Sequence, residues 1–173
     1  MRLLQIYSAD LLNGEGLREV LFFSGCDHKC PGCFNSDSQN PDCPGSDWSH
    51  FWTEEDYQAL LIRLKKPYIS GVTISGGDGF SKWNKAEILE LVKRLKTDLP
   101  LKTVWLYTGW TWEEIEKFND ERWEALQYID VLCDGRYIDA RKSPKKPWVG
   151  SDNQRVIDVK KSLESDKVVL FAS

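Results

Sequence analysis

The sequence lacks an excess of positive charge, a long hydrophobic run and a secretion signal. Its 23 Lys and Arg are outnumbered by 27 Asp and Glu, and the resulting net charge of −4 argues against a nucleic-acid-binding protein. No apolar run approaches the roughly 18 to 20 residues that a membrane helix requires. The N-terminus reaches Asp10 without the apolar core and small-residue cleavage site of a signal peptide. We therefore expect a cytoplasmic protein whose partners include neither nucleic acid nor a membrane.

The hydrophobic pattern predicts alternating strands and helices within one domain, which a length of 173 residues accommodates. Helical spacing of apolar residues follows Thr53, covers residues 88–99 and follows a capping-box pattern that begins at Thr111. Runs of β-forming residues predict strands at 19–23, 69–74, 103–107, 129–133, 155–159 and 168–171. Strands that alternate with helices form parallel βαβ units, so we predict an α/β fold whose helices cover the sheet.

The first four predicted strands each end in a distinctive segment. These segments are a cysteine-containing loop, Gly76-Gly77-Asp78, Tyr107-Thr108-Gly109 and Asp134-Gly135-Arg136. Ligands of α/β proteins bind at the carboxyl ends of parallel strands. The four segments are therefore expected to meet at one edge of the sheet and to form the binding site.

Three of the five cysteines lie in the first of these loops, in the pattern Cys26-x3-Cys30-x2-Cys33. A disulfide framework is not expected, because a cytoplasmic compartment disfavours disulfides and an odd number of cysteines cannot all pair. Three soft thiolates in a short loop suit a single metal centre. An iron–sulfur cube bound by three cysteines has one iron without a protein thiolate, and that iron can bind a substrate or cofactor.

Other interpretations of the cysteine loop stay open at this point. A structural zinc site would need a fourth ligand, which Cys43 or His28 could supply. Cys30 and Cys33 could form a redox dithiol, although such motifs normally open a helix and Cys26 is then unexplained. Three unrelated buried cysteines fit poorly with the polar, Pro- and Gly-containing loop around them. Outside a zinc site, His28 is expected to be solvated or to hydrogen-bond locally.

The cysteine spacing after a predicted strand resembles the radical S-adenosylmethionine superfamily. Within that superfamily, the sequence resembles the activating enzymes of anaerobic, class III ribonucleotide reductases. The segments that carry the resemblance cover nearly the whole chain in order: 13–18 (NGEGLR), 24–35 (SGCDHKCPGCFN), 73–78 (TISGGD), 104–109 (VWLYTG), 131–137 (VLCDGRY) and 150–155 (GSDNQR).

The resemblance implies a partial (β/α) barrel of about six mostly parallel strands, with helices on the outside, and residues 1–173 as a single radical S-adenosylmethionine domain. It implies S-adenosylmethionine bound to the open iron of a [4Fe–4S] cluster whose three ligands are Cys26, Cys30 and Cys33. It places the cofactor-binding contacts at Gly32, Cys33, Phe34, Gly76, Gly77 and Asp78. It implies no catalytic residue beyond the cluster and the cofactor, and Cys43 and Cys133 receive no role.

By the same resemblance, we expect an enzyme that cleaves S-adenosylmethionine reductively and uses the 5′-deoxyadenosyl radical to generate a glycyl radical on the large subunit of an anaerobic ribonucleotide reductase. The implied partners are that subunit and an electron donor such as a flavodoxin or ferredoxin. The alternatives are a radical enzyme acting on another glycyl-radical enzyme or on a small molecule, and a zinc-stabilised binding module. Trp48, Trp52 and Trp148, in polar surroundings, are candidates for a docking patch.

Overall fold

The computed structural model describes residues 1–43 and 49–171. The described residues contain seven strands, all in one sheet: β1 (Arg2–Asp10), β2 (Arg18–Phe23), β3 (His50–Phe51), β4 (Gly71–Gly76), β5 (Thr103–Tyr107), β6 (Val131–Asp134) and β7 (Arg155–Asp158). The strand order across the sheet is β3-β1-β2-β4-β5-β6-β7.

The sheet is parallel in its centre and antiparallel at its flanks. Strands β2, β4, β5 and β6 pair in parallel, whereas β3 with β1, β1 with β2, and β6 with β7 pair antiparallel. The α/β class is confirmed, and the expected parallel pairing is found in the centre of the sheet. The expectation of about six mostly parallel strands needs correction at both flanks, because β1 and β3 add antiparallel strands on one side and β7 pairs antiparallel with β6 on the other. Residues 168–171 were expected to form a strand, yet only Leu170 pairs, in an isolated bridge to Ile157.

Five α-helices connect or flank the strands of the described residues: α1 (Glu54–Leu64), α2 (Lys85–Asp98), α3 (Trp112–Phe118), α4 (Glu121–Ala125) and α5 (Val159–Ser165). Capping boxes at Thr53 and Thr111 precede α1 and α3. Each threonine side chain accepts a hydrogen bond from the backbone amide three residues further along the chain. The capping box predicted to begin at Thr111 is therefore confirmed. Within the described part of the chain, no helix is long and apolar enough to cross a membrane.

The helices cover one face of the sheet and bury the main hydrophobic core there. Alternate residues of the central strands, such as Ile74, Leu106 and Leu132, point into this core. The intervening residues point to the opposite face, where Trp105 and Cys133 form a second, smaller cluster with rings from the C-terminal loops. This cluster fills part of the second face, and a cavity lies beside it at the carboxyl ends of the parallel strands.

Candidate metal and cofactor site

A cavity of about 610 Å³ lies at the carboxyl edge of the parallel strands. Its wall includes residues from the ends of β2, β4 and β5 and from the loops that follow them and β6. Six of the residues predicted for the site contribute to this wall: Cys26, Cys30, Cys33, Phe34, Gly76 and Gly77. The expected meeting of the four strand ends at one edge is therefore confirmed, and the volume lies in the range of ordinary ligand pockets.

The cysteine loop is held by backbone hydrogen bonds to two neighbouring segments. The Gly25 amide donates to the Ser38 carbonyl at 2.7 Å, and the Cys26 amide donates to the Gln39 carbonyl at 3.0 Å. The Asp78 amide donates to the Gly25 carbonyl at 2.8 Å. The start of the loop is thus fixed against the end of β4 before any side chain is considered.

The three thiols of this loop are free and accept hydrogen bonds from backbone amides. The amides of His28 and Asn35 lie 3.4 Å from the Cys26 and Cys33 sulfurs, and the Tyr137 amide donates to Cys30. Hydrogen bonds to sulfur are among the features that tune iron–sulfur clusters. Three free thiols, each with an N–H donor and all facing one cavity, fit the donor set of a cluster.

Burial, with a smaller contribution from the Asp78 carboxylate, raises the pKa of the Cys26 thiol to about 11. Burial also raises the pKa of Cys30. These cysteines are therefore protonated at neutral pH in the metal-free chain. Thiolate ligation then requires the release of their protons when metal binds.

The described residues contain no preassembled single-ion site. Among residues 1–43 and 49–171, no three His, Cys, Asp or Glu side chains lie close enough together to ligate one metal ion. Thiolates on one zinc would all lie about 2.3 Å from the ion, whereas those of a cluster bind different irons. Cys43, a suggested fourth zinc ligand, is buried and does not line the cavity, and neither does Cys133.

Gly76 and Gly77 occupy positions that a larger residue would obstruct. Gly76 has a φ of +103°, and a Cβ on Gly77 would lie 2.4 Å from the Gly25 carbonyl oxygen. The turn after β4 therefore packs directly against the backbone of the cysteine loop. This contact places the two predicted motifs side by side.

Asp78 lies beneath the cavity, and its carboxylate is turned into the protein with 1% of the residue exposed. Oδ1 accepts from the Phe80 amide at 2.7 Å, and Oδ2 accepts from the Gly109 amide at 2.9 Å and the Thr108 hydroxyl at 3.1 Å. His28 Nε2 lies 3.0 Å from the same Oδ2. Asp78 does not line the cavity, so the structure gives its carboxylate a role in joining loops.

His28 differs from its sequence expectation, because it is neither solvated nor bonded only to local groups. Its side chain is 3% exposed, and Nδ1 accepts from the Arg136 Nε at 3.0 Å. Its ring packs edge-on against Trp110, with centroids 4.4 Å apart. Its partners lie 50 to 108 positions away in the sequence, too far for the local pattern to predict.

The second half of the cysteine loop packs against the loop that follows β6. Gly32 has a φ of +72°, and a Cβ there would lie 3.0 Å from Asp139, so glycine suits this position. Phe34 is 72% exposed, tilts against Tyr137 and lies 5.2 Å beneath the Lys142 ammonium. Phe34 thus stands at the mouth of the cavity, while Gly32 lies behind it.

Gln154 is a site residue whose role the sequence analysis missed. Its side chain donates to the Gly135 carbonyl and accepts from the amides of Gly150 and Ser151 at 3.0 and 3.1 Å. It therefore joins the two C-terminal loops that close one side of the cavity. The segment 150–155 carries part of the family resemblance, but no local sequence pattern indicates this cross-linking role.

The tryptophan patch proposed from composition does not form as one exposed surface. Trp52 packs on Phe23, and Trp148 packs on Trp105 in the smaller cluster. Trp48 lies outside the described residues. The two described members are half-buried packing residues on different parts of the molecule.

Comparison with known proteins links this site to a family. A family model described as a 4Fe-4S single cluster domain matches residues 12–157, which include all three cysteines of the loop. The match covers most of the chain and supports an iron–sulfur cluster as its metal centre.

Similar proteins include several that carry one name, anaerobic ribonucleoside-triphosphate reductase-activating protein. The chain is 40% identical to the Enterobacteria phage T4 protein of this name over 152 residues. The aligned region covers 88% of this chain and 90% of the phage protein. The chain is 40% identical over 156 residues to the protein of Vibrio cholerae, with 87% and 93% covered. It is 34% identical over 153 residues to that of Escherichia coli K12, with 88% and 95% covered.

Proposed function

The chain belongs to the family of anaerobic ribonucleoside-triphosphate reductase-activating proteins, and we propose that it is a radical S-adenosylmethionine enzyme. We further propose that residues 1–173 form its single domain. Its proposed product is a glycyl radical on the large subunit of the anaerobic ribonucleotide reductase. The observation that carries the proposal is the convergence of three free cysteines and the Gly76–Gly77 turn on one cavity.

Each part of the cavity has a proposed role. Cys26, Cys30 and Cys33 hold a [4Fe–4S] cluster and leave one iron open. The backbone of Gly76 and Gly77 approaches the methionyl end of the cofactor closely, because no side chain intervenes. The cofactor contacts continue along the loop that carries Gly32, Cys33 and Phe34, and the Phe34 ring offers an aromatic face to the adenosyl group. Asp78 supports the turn from beneath.

When bound, the cluster supplies one electron that cleaves S-adenosylmethionine into methionine and a 5′-deoxyadenosyl radical, which takes a hydrogen atom from the reductase glycine. The chain's own contribution is to orient the cofactor and to keep the mouth of the cavity open to a protein segment. A glycine suits this mouth because no side chain shields its Cα hydrogen. A flavodoxin or ferredoxin is the proposed electron donor.

The test combines reduced, cluster-loaded protein with S-adenosylmethionine and the reductase large subunit, followed by electron paramagnetic resonance. We expect a glycyl doublet and one 5′-deoxyadenosine per radical formed. The doublet should disappear when the reductase glycine is replaced by alanine, and also when Cys30→Ala protein is used. Turnover of a small molecule without any partner, and without a protein radical, would overturn the proposal in favour of a small-molecule radical enzyme.

A further inference from the structure

His28 stands between the loops that build the cavity, and the proposed activity assigns it no part. It follows Cys26 by two positions and precedes Cys30 by two. Its side chain reaches the Gly76–Asp78 turn through Asp78 and the loop after β6 through Arg136. It also touches the loop after β5, so that one imidazole connects all four strand-end loops.

The hydrogen-bond partners of His28 define its tautomer. The Arg136 guanidinium can only donate, so Nδ1 must accept and the ring hydrogen lies on Nε2. Nε2 is buried and lies 3.0 Å from Asp78 Oδ2, although the direction departs from that of a good hydrogen bond. The contact is then a close electrostatic one between an N–H group and a carboxylate in a buried setting.

The absence of a side chain on Gly109 leaves room for the His28 ring. A Cβ on Gly109 would lie 2.3 Å from His28 Cδ2 and 2.6 Å from Nε2. Trp110 packs on the ring from another side at 4.4 Å. The ring therefore has one available position, and even a methyl group on Gly109 would displace it.

The backbone next to His28 needs such support. Lys29 has a φ of +49°, a left-handed conformation that is uncommon and strained for residues other than glycine. Such conformations persist where the surroundings hold them. The anchored imidazole supplies that restraint between Cys26 and Cys30.

We propose that His28 is a positioning residue that fixes the cysteine loop relative to the Gly76–Asp78 turn and so aligns the open iron with the cofactor's methionyl end. This inference rests on the proposed function. The Asp78 carboxylate contacts His28 and also accepts hydrogen bonds from Thr108 and Gly109, so it links His28 to the loop after β5. Without His28 the cluster still forms, because the cysteines remain, but the two halves of the site lose their common alignment.

The experiment compares His28→Phe with Gly109→Ala in the cluster-loaded protein. The first keeps an aromatic ring against Trp110 but loses both nitrogens, and the second displaces the native ring. Both variants should retain about four irons and the far-ultraviolet circular dichroism of the parent protein. Both should bind S-adenosylmethionine about 10- to 100-fold more weakly, a range set by analogy with the loss of metal affinity or activity when groups that orient metal ligands are removed. The cofactor-induced change in the electron paramagnetic resonance signal of the reduced cluster should also be lost.

The chain offers a matched control in its other histidine–aspartate pair. His50 Nε2 lies 2.8 Å from Asp56 Oδ2 at the start of α1, away from the cavity. His50→Phe should leave cofactor affinity unchanged. His28→Gln, which keeps an N–H donor for Asp78, should restore part of the affinity lost in His28→Phe.

Two results would overturn the inference. One is parental cofactor affinity and spectral response in both His28→Phe and Gly109→Ala. The other is loss of iron in both, which would mean that His28 holds the cluster loop itself and does not align two loops. Either result leaves the proposed function standing if the parent protein cleaves S-adenosylmethionine. Failure of the parent protein to do so would instead count against the function.

Discussion

The three cavity cysteines should differ sharply from the other two when each is replaced by alanine. Cys26→Ala, Cys30→Ala and Cys33→Ala each remove one ligand, so the absorbance of the cluster and its roughly four irons should be lost. Cys43→Ala and Cys133→Ala should retain both, because neither side chain lines the cavity. Iron and sulfide analysis after anaerobic reconstitution measures the difference, and equal loss in Cys43→Ala would indicate a four-cysteine site.

Gly77 carries a second prediction at the residue scale. A side chain there would meet the backbone of the cysteine loop as well as the cofactor. In the structure its Cβ would lie 2.4 Å from the Gly25 carbonyl oxygen and 2.7 Å from that of Ser38. Gly77→Ala should therefore displace the cysteine loop and reduce both iron content and cofactor binding. Gly79→Ala is the comparison variant. Its Cβ would meet the Ile74 and Leu106 side chains at 3.1 and 3.2 Å, a tight contact that small side-chain shifts can relieve, whereas the Gly77 Cβ meets backbone. Similar losses in both variants would contradict this reasoning.

The site residues that the sequence could predict belong to short, continuous sequence motifs. The cysteine spacing and the Gly76–Gly77 turn are short motifs, and both line the cavity. The expectation for His28 was wrong, and the loop-joining hydrogen bonds of Asp78 and Gln154 could not be predicted, because these contacts depend on partners that only the folded chain brings near. A histidine bonded to an arginine 108 positions away leaves no signature in a local pattern.

The same distinction applies to the secondary-structure elements. Strands β4 and β5 are buried over all or most of their length, and their predicted positions are confirmed within about two residues. Strand β1 was missed because its second half is largely exposed and its pairing with β2 is interrupted by irregularities in register. Residues 168–171 show the opposite error, since their β-forming composition yields one bridge only. Tertiary pairing decides both cases.

Arg18 joins the first residues of three strands and should be a large contributor to stability. It is fully buried and donates five hydrogen bonds, to Thr73, Thr103, Val72 and Glu15. Burial lowers the pKa of this arginine to about 10, so it remains charged at neutral pH.

Replacing Arg18 with methionine should lower the free energy of unfolding by about 3 kcal/mol, because buried acceptors lose their donors. Urea unfolding measures the change. The control is Arg63→Met, whose side chain is 38% exposed and lies 3.8 Å from Glu19; it should cost less than about 1 kcal/mol. An Arg18→Met protein as stable as the Arg63→Met protein would contradict this view.

At the scale of the whole molecule, one face of the sheet carries the main hydrophobic core and the other carries the cavity. The helix-covered face carries the main core, from Met1 just before β1 to Val159 at the start of α5, and none of its buried residues belongs to the cysteine loop. The opposite face is closed at one end by Trp105, Trp148 and Phe171 and is open at the carboxyl edge. In such a site the sheet forms one wall of the cavity, and the open side is accessible to a partner.

This division predicts what removal of the cluster does to the molecule. The sheet and helices are stabilised by the main core, so chelation of iron should leave the far-ultraviolet circular dichroism nearly unchanged. The loops 24–43 and 135–154 line the cavity and depend on the metal for part of their order, so their amides should exchange at least about tenfold faster, which corresponds to about 1.4 kcal/mol of lost local stability. Amides of β4, β5 and α2 should keep their protection, and this internal comparison is the control. Hydrogen exchange followed by mass spectrometry of the loaded and chelated protein measures both sets. Uniform loss of protection across the sheet would mean that the cluster is needed for the fold itself, as in small metal-dependent domains, and not only for the edge where it binds.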